Sequence, residues 1–165
     1  DGIITLESKT KFRKATIVDL PQIINLLADD MLGSKRENYR NPVPEKYIKA
    51  FNRIDEDEKQ YLIVVEGEDR AIIGTLQLSF IQYLTYKGGL RAQIEAVRIR
   101  KDKRGSGLGE EMLDWAVKKA IKNGAHLIQL TSDKKRPEAI RFYNKLGFTA
   151  SHEGMKLHLE KDMKG

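Results

Sequence analysis

Thirteen residues, from Val97 to Gly109, constrain this 165-residue chain more than any other stretch of it. An apolar run ends at Ile99. Arg98, Arg100, Lys101, Lys103 and Arg104 then surround a lone Asp102, and glycines stand at 105, 107 and 109. Leu108 opens the best helical stripe in the sequence, with Met112, Leu113, Ala116, Ala120 and Ile121 on one face and Gly124 as the stop. The segment therefore predicts strand, basic turn, helix. Glycines in such a turn let the backbone approach a ligand closely, and the following helix aims its unpaired N–H groups and positive dipole end back into the turn. That is an anion site, best suited to a phosphate or pyrophosphate. The dinucleotide fingerprint G-x-G-x-x-G fails because the third glycine comes one residue early. A P-loop lacks its Gly-Lys-Ser/Thr, and a serine-hydrolase elbow is excluded by Arg104 and Leu108 on either side of Ser106.

Around this segment the pattern alternates between periods of two and of 3.6. Phe12–Thr16 reads as a first strand. Asp19 is the expected cap of a helix that carries Pro21 in its first turn and Ile23, Ile24, Leu27 and Met31 on one face. A second helix starts at Glu45 and presents Tyr47, Ile48 and Phe51. Residues 61–65 and 71–80 form a hairpin around Glu66–Arg70, and residues 90–100 a further strand. After the long helix come a strand at His126–Thr131, a helix at Pro137–Leu146, and two terminal strands at Phe148–Ala150 and Met155–Leu159. The order β-α-α-β-β-β-α-β-α-β-β implies an α/β (α+β) domain with a mixed sheet and helices packed on its faces. One domain is expected over 12–160, with a flexible arm at 1–11 and a short tail at 161–165.

Composition narrows the chemistry. Hydrophobic residues make up 40% of the chain, enough for a sizeable core, and cysteine is absent. Disulfides, thiolate metal sites and a cysteine nucleophile are thereby excluded. The three histidines, 126, 152 and 158, have no close helical spacing, so no metal site is expected. The net charge of +6 attracts polyanions in general, be they nucleic acid, acidic lipid or a phosphorylated small molecule. The basic stretch 98–104 is short and lacks interleaved aromatics, which argues against a nucleic-acid module. No apolar run approaches the roughly 18 residues of a membrane span. The opening residues have no signal-peptide pattern, so the expected location is the cytoplasm.

Arg104-x-x-Gly107-x-Gly109 at a strand-to-helix turn, with Gly105 next to the arginine, resembles the acetyl-CoA pyrophosphate loop of the GNAT superfamily of N-acetyltransferases. A second stretch, Ala139-Ile-Arg-Phe-Tyr143-Asn-Lys-Leu-Gly-Phe148, resembles the superfamily's A-x-x-F-Y-x-x-x-G-F helix and lies on the element where that helix is expected. Arg136 stands where many members have an asparagine that contacts the cofactor. The resemblance covers about residues 12–160. It implies a mostly antiparallel sheet with one splayed parallel strand pair, and acetyl-CoA seated where those two strands part. Val97 and Ile99 would then offer backbone contacts to the pantetheine. Arg98 and Arg104, Gly105, Ser106, Gly107, Leu108 and Gly109 would complete the cofactor site.

Acetyl transfer to an amine has three chemical needs. An alkyl amine with a pKa of about 10.4 must lose a proton before it attacks. The developing oxyanion needs a donor, for which the Val97 N–H is the candidate. The departing thiolate needs a proton. Tyr143 matches the family position that faces the thioester sulfur and is the expected acid. Glu95, two residues before Val97, is the expected base, directly or through a water. With no cysteine, direct attack on acetyl-CoA is favoured over an acyl-enzyme. The resemblance implies that the first two helices wall the acceptor pocket, where Asp29 and Asp30 would give an acidic rim suited to a cationic acceptor such as a polyamine, an aminoglycoside or a peptide amine; the run Asp55–Glu58 reads first as a solvated charged loop and otherwise as part of that rim. The terminal strands offer an edge for a homodimer.

Overall fold

The structure is a computed structural model that describes residues 10–30 and 32–160. Residues 1–9 of the expected arm, Met31 and the tail at 161–165 lie outside the described residues. Strand β1 (Lys11–Lys14) leads through a 3-10 turn (Ile17–Asp19) into helix α1 (Leu20–Ala28). A single turn, α2 (Gly33–Arg36), and helix α3 (Glu45–Glu56) precede the hairpin of β2 (Gln60–Glu66) and β3 (Ile72–Gln82). A tight turn, α4 (Thr85–Gly88), returns the chain into β4 (Leu90–Ile99). The 3-10 turn Lys101–Lys103, helix α5 (Leu108–Lys122), strand β5 (Leu127–Leu130) and helix α6 (Pro137–Lys145) follow.

The five strands lie in the order β1-β2-β3-β4-β5. Their first three pairings are antiparallel and β4–β5 is parallel. Because side chains alternate across a sheet, each face builds its own core. On one face Ile63, Val65, Leu76, Leu78, Ala92 and Ile94 pack with Leu108, Met112, Leu113 and Ala116 of α5. On the other, Val64 and Ile72 pack with Leu20, Ile23, Ile24 and Leu26 of α1 and Phe51 of α3. This is the mixed α/β architecture that the sequence predicts, with helices on both faces. Ile121, expected in the α5 stripe, is instead exposed on the last turn of the helix. Among the described residues no helix is long and apolar enough to cross a membrane.

Two expectations are corrected. Asp19 occupies the cap position of α1 but makes no side-chain bond into that helix. Its carboxylate closes the turn before the helix, accepting from the Thr16 N–H at 2.7 Å and taking a two-pronged ion pair from Arg13 at 2.6 and 2.8 Å. Arg13 also donates to Glu66 at 2.6 Å, which fastens β1, β2 and the entry to α1 together. The second correction concerns the terminal strands. Neither Phe148–Ala150 nor Met155–Leu159 forms a strand among the described residues. Gly147, at φ +97°, turns the chain out of α6, and every residue from Thr149 to Glu160 is exposed. A strand needs a neighbour to receive its backbone groups, and here the sheet ends at β5.

The Arg13 hydrogen bonds hold the Asp19 carboxyl below the usual carboxylate range. A depressed folded pKa stabilises the fold above the ordinary value near 3.9, and that stability is lost as pH falls through the folded value. Asp19→Ala is expected to cost about 3 kcal/mol in denaturant unfolding at pH 7, as for a largely buried ion pair broken on one side, and to flatten the acid limb of stability against pH.

Candidate active site

The site begins where β4 leaves its neighbours. Up to Ile94 the strand pairs on both sides, with Leu78 of β3 and Leu130 of β5. At the next step the register with β3 slips, because Gln77 faces Glu95 but Thr75 faces Arg98. Ala96 absorbs the extra residue at φ +53°, a left-handed conformation that non-glycine residues rarely adopt. Pairing with β5 ends at Ile94–Leu130, so among the described residues the stretch Glu95–Ile99 has no strand on that side. Its outward N–H and C=O groups are open to an extended ligand that adds like a strand.

At the end of β4 the glycine turn meets α5. Gly105 and Gly107 take φ of +78° and +88°, and a Cβ at either would meet nothing within 4 Å. Both therefore face open space, and their conformation is what requires glycine. Within α5 the first backbone bond runs from Glu111 N–H to Gly107 at 3.2 Å, so the N–H groups of Leu108, Gly109 and Glu110 have no partner within the helix. Gly109 serves a different need: a Cβ there would come within 3.0 Å of Phe142 and 3.2 Å of Ile99, so its bareness lets α6 approach. Leu108 is buried in the core and presents only backbone to the turn. Ser106 is exposed, and its hydroxyl bonds the Lys103 carbonyl.

The basic residues divide. Arg100 is clasped by Asp102 at 2.6 and 2.9 Å. Arg104 lies across the groove, donating to the carbonyls of Ile99 at 3.2 Å and Asp29 at 3.3 Å. With Lys101, Ala28, Asp29, Asp30 and Ser34 it lines an open groove of about 540 Å³. Arg98 is half-buried. It donates to its neighbour's carbonyl on Val97 at 2.9 Å and faces Asp30 at 3.6 Å. Arg136 completes this cluster with a 2.6 Å bond to the same Asp30 oxygen, joining the start of α6 to the end of α1. Burial opposes the Asp30 charge. The Gly33 N–H and the two guanidiniums nevertheless outweigh it and keep the carboxyl below its usual range. Burial and the neighbouring Arg136 both lower the pKa of Arg98.

Tyr143 packs edge-on against Phe142 and Phe148. Burial raises its hydroxyl above the ordinary value near 10, against a smaller opposing pull from Arg98 and Arg136. The hydroxyl therefore stays protonated through neutral pH. Glu95 is exposed on the sheet face opposite α5, where β4 and β5 turn polar. Gln129 donates to Gln93 at 2.9 Å, and Gln93 donates to Glu95 at 2.7 Å. Each amide offers its N–H to the next oxygen, and the row ends on the carboxylate. The sequence reading missed Gln93, Gln129 and the Asp30–Arg136 contact. Only the glutamines had a signal, as polar residues at alternate positions of otherwise apolar strands.

The sequence profile of the acetyltransferase (GNAT) family matches residues 21–148. The chain belongs to that family. A curated relative, aminoalkylphosphonate N-acetyltransferase of Salmonella typhimurium, is 29% identical over 103 residues, which is 62% of this chain. That alignment spans 64% of the relative's own length. Among solved structures, a Bacillus halodurans C-125 protein described as a transcriptional regulator is 51% identical, with a TM-score of 0.86 over 90% of this chain and 99% of that one. A Clostridium acetobutylicum acetyltransferase, crystallised with acetyl-CoA, is 25% identical with a TM-score of 0.70 over 91% of this chain and 96% of that one.

Among the described residues, Asp30 is the carboxylate in contact with both Arg98 and Arg136. Asp30→Asn is expected to cost about 2–3 kcal/mol by leaving two half-buried guanidiniums facing a neutral group. Urea unfolding at low and high salt would check this, with the larger loss at low salt.

Proposed function

We propose that this chain is an acetyl-CoA-dependent N-acetyltransferase that acetylates a primary amine by direct attack, with both substrates bound together. The observation that carries this reading is the coincidence, at the end of β4, of unpaired strand backbone with an open glycine turn at a helix start. An extended amide chain fits the first, and a pyrophosphate the second. Val97 and Ile99 would hold the pantetheine through their backbone. Arg104, Gly105, Ser106, Gly107, Leu108 and Gly109 would hold the phosphates, chiefly through N–H groups. Arg98 enters this reading as a neighbour of Tyr143 and Asp30 more than as a phosphate ligand.

Bound acetyl-CoA supplies an activated acyl carbon on a thiol leaving group. Glu95 takes a proton from the acceptor ammonium, directly or through one water, and Gln93 and Gln129 fix the carboxylate that receives it. As the C–N bond forms, the Val97 N–H donates to the acyl oxygen. As the C–S bond breaks, Tyr143 gives its proton to the sulfur, and the second proton shed by the acylated nitrogen passes through water to restore the tyrosine hydroxyl. The acidic-rim argument for a cationic acceptor shifts its ground, since Asp30 is engaged by Arg136 and Asp29 lies 3.9 Å from Arg104. The Glu95 carboxylate and the amide oxygens beside it support an alkylammonium acceptor instead. Nucleic acid and membrane have no part in this reading.

A second reading, a non-catalytic acyl-CoA-sensing domain, draws on the description of the Bacillus halodurans relative as a transcriptional regulator. Tyr143→Phe separates the two. For an enzyme, kcat is expected to fall on the order of 10²–10⁴-fold while calorimetric CoA affinity is retained. The wild-type kcat should hold through neutral pH and decline only on the alkaline side, as the raised Tyr143 hydroxyl ionises. Thermal unfolding provides the cofactor test. At 100 times its dissociation constant, acetyl-CoA should add about 2.7 kcal/mol, with CoA similar and ATP, NAD and duplex DNA without effect. No rise with either CoA species would sink both readings.

A further inference from the structure

Arg91 differs from the other arginines around β4. Arg98 and Arg136 meet Asp30, Arg100 meets Asp102, and Arg104 meets Asp29. Among the described residues no carboxylate pairs with Arg91. Aromatic rings place it instead: its guanidinium carbon lies 3.9 Å from the centre of the Tyr83 ring and 5.3 Å from that of Tyr86. Its hydrogen-bond contact is long, from Nη1 to the Gln129 amide oxygen at 3.5 Å, and its Nε is buried without a partner. Stacking on a ring holds a guanidinium without occupying its N–H groups, so most of its five donors are left for water or a ligand. Such a group calls for an explanation beyond packing.

Its surroundings hold it in a fixed place. Tyr86 and Lys87 turn the chain from β3 into β4 at φ of +54° and +58°, left-handed conformations that disfavour side chains. The Tyr86 ring lies 5.0 Å from that of His126 at the entry to β5, and Gly89 is bare where a Cβ would come within 2.6 Å of the same imidazole. Arg91, Gln93 and Glu95 then alternate along one face of β4, opposite the face that Ala92 and Ile94 bury against α5. The row of amides from Gln129 through Gln93 therefore begins beside a guanidinium and ends on the Glu95 carboxylate.

We propose that the acceptor is an amine that carries its own anion, a carboxylate or a phosphonate, with the ammonium at Glu95 and the anion on Arg91. This rests on Glu95 as the proposed base and names the substrate class that such a site takes. The order of charges along β4 fixes the orientation, since a reversed acceptor would set each charge against its like. The strand also bounds the length. Four residues span roughly 13 Å, and both head groups reach inward to a glutamine. A hydrogen bond of about 3 Å at each end leaves at most roughly 7 Å between amine and anion, about six chain atoms. Tyr83 and Tyr86 wall the far end of that path, and the planar guanidinium suits an anion that offers two oxygens.

Steady-state kinetics with acetyl-CoA test it, pairing 4-aminobutanoate and 4-aminobutylphosphonate with butylamine, and 6-aminohexanoate with hexylamine. In the wild type at least one acidic amine should exceed its plain partner about tenfold or more in kcat/KM, chiefly through KM. The carboxylate and phosphonate arms identify the oxyanion. Arg91→Met keeps an unbranched stem against Tyr83 and removes the charge, and the ratio of acidic to plain amine should fall towards one. Arg91→Lys, a cation without the fork, should restore part of it. Three results would overturn the proposal: a wild-type ratio near one for every pair; a ratio that survives Arg91→Met; or a loss in Arg91→Met that is equal for acidic and plain amines, the mark of a residue acting on Glu95 through the glutamine row. If Arg91→Met loses its cooperative thermal transition, Arg91→Gln takes its place with the same outcomes. Failure of the proposed chemistry reads differently, as no acetylation of any amine. Calorimetric titration of the protein with the same compounds, with and without CoA, then decides on Arg91 alone. The acidic amine should bind more tightly than the plain one in the wild type and not in Arg91→Met, and equal or absent binding would overturn the proposal.

Discussion

A strand that shifts register halfway along its length cannot keep two neighbours aligned, and β4 gives up β5 to keep β3. Ala96, held at φ +53°, is the point of that choice. Before it, Ala92 and Ile94 are locked in the core against α5. After it, the same strand runs with one side bare and ends in the turn from which α5 sets out. A left-handed conformation at alanine costs on the order of 1 kcal/mol. The surrounding ladder of β3 and the buried faces on both sides hold it in place. Bare backbone, glycine turn and helix start follow from this one irregularity, and so does their closeness.

Charge is arranged around the same point. A net charge of +6 suggests an undifferentiated basic surface, but the guanidiniums near the site are mostly committed. Arg100 belongs to Asp102 and Arg136 to Asp30. Lys101 and Lys103 are left around the glycine turn, and Arg104 is bonded across the groove to the Ile99 and Asp29 carbonyls. The local field at the helix start is thus set by these cations and the helix dipole rather than evenly by all five basic residues of the segment.

Most of the fold was legible in the sequence because it rests on periodicity. The α5 stripe, the β2–β3 hairpin and the Leu90 strand announce themselves in residues that must be buried together. The glycine turn was legible for a different reason, since Gly105 and Gly107 stand where other residues would be strained. What escaped was contact between distant segments. Asp30 and Arg136 are 106 positions apart, and nothing local in either neighbourhood names the other. Asp19 looked like a cap of α1 because aspartate before Leu-Pro usually is one, but Arg13 outbid that role. The terminal strands failed differently: their alternation is genuine in 155–159, but pattern specifies a face and not the neighbour that will cover it.

The Arg136–Asp30 contact ties the start of α6 to the end of α1, two elements that otherwise meet little. The Gly33 N–H and the neighbouring guanidiniums hold its carboxyl below the usual carboxylate range. Mild acidification therefore leaves it intact. The contact is thus a clasp between segments 106 positions apart, set by charge and geometry where packing between the two elements is sparse.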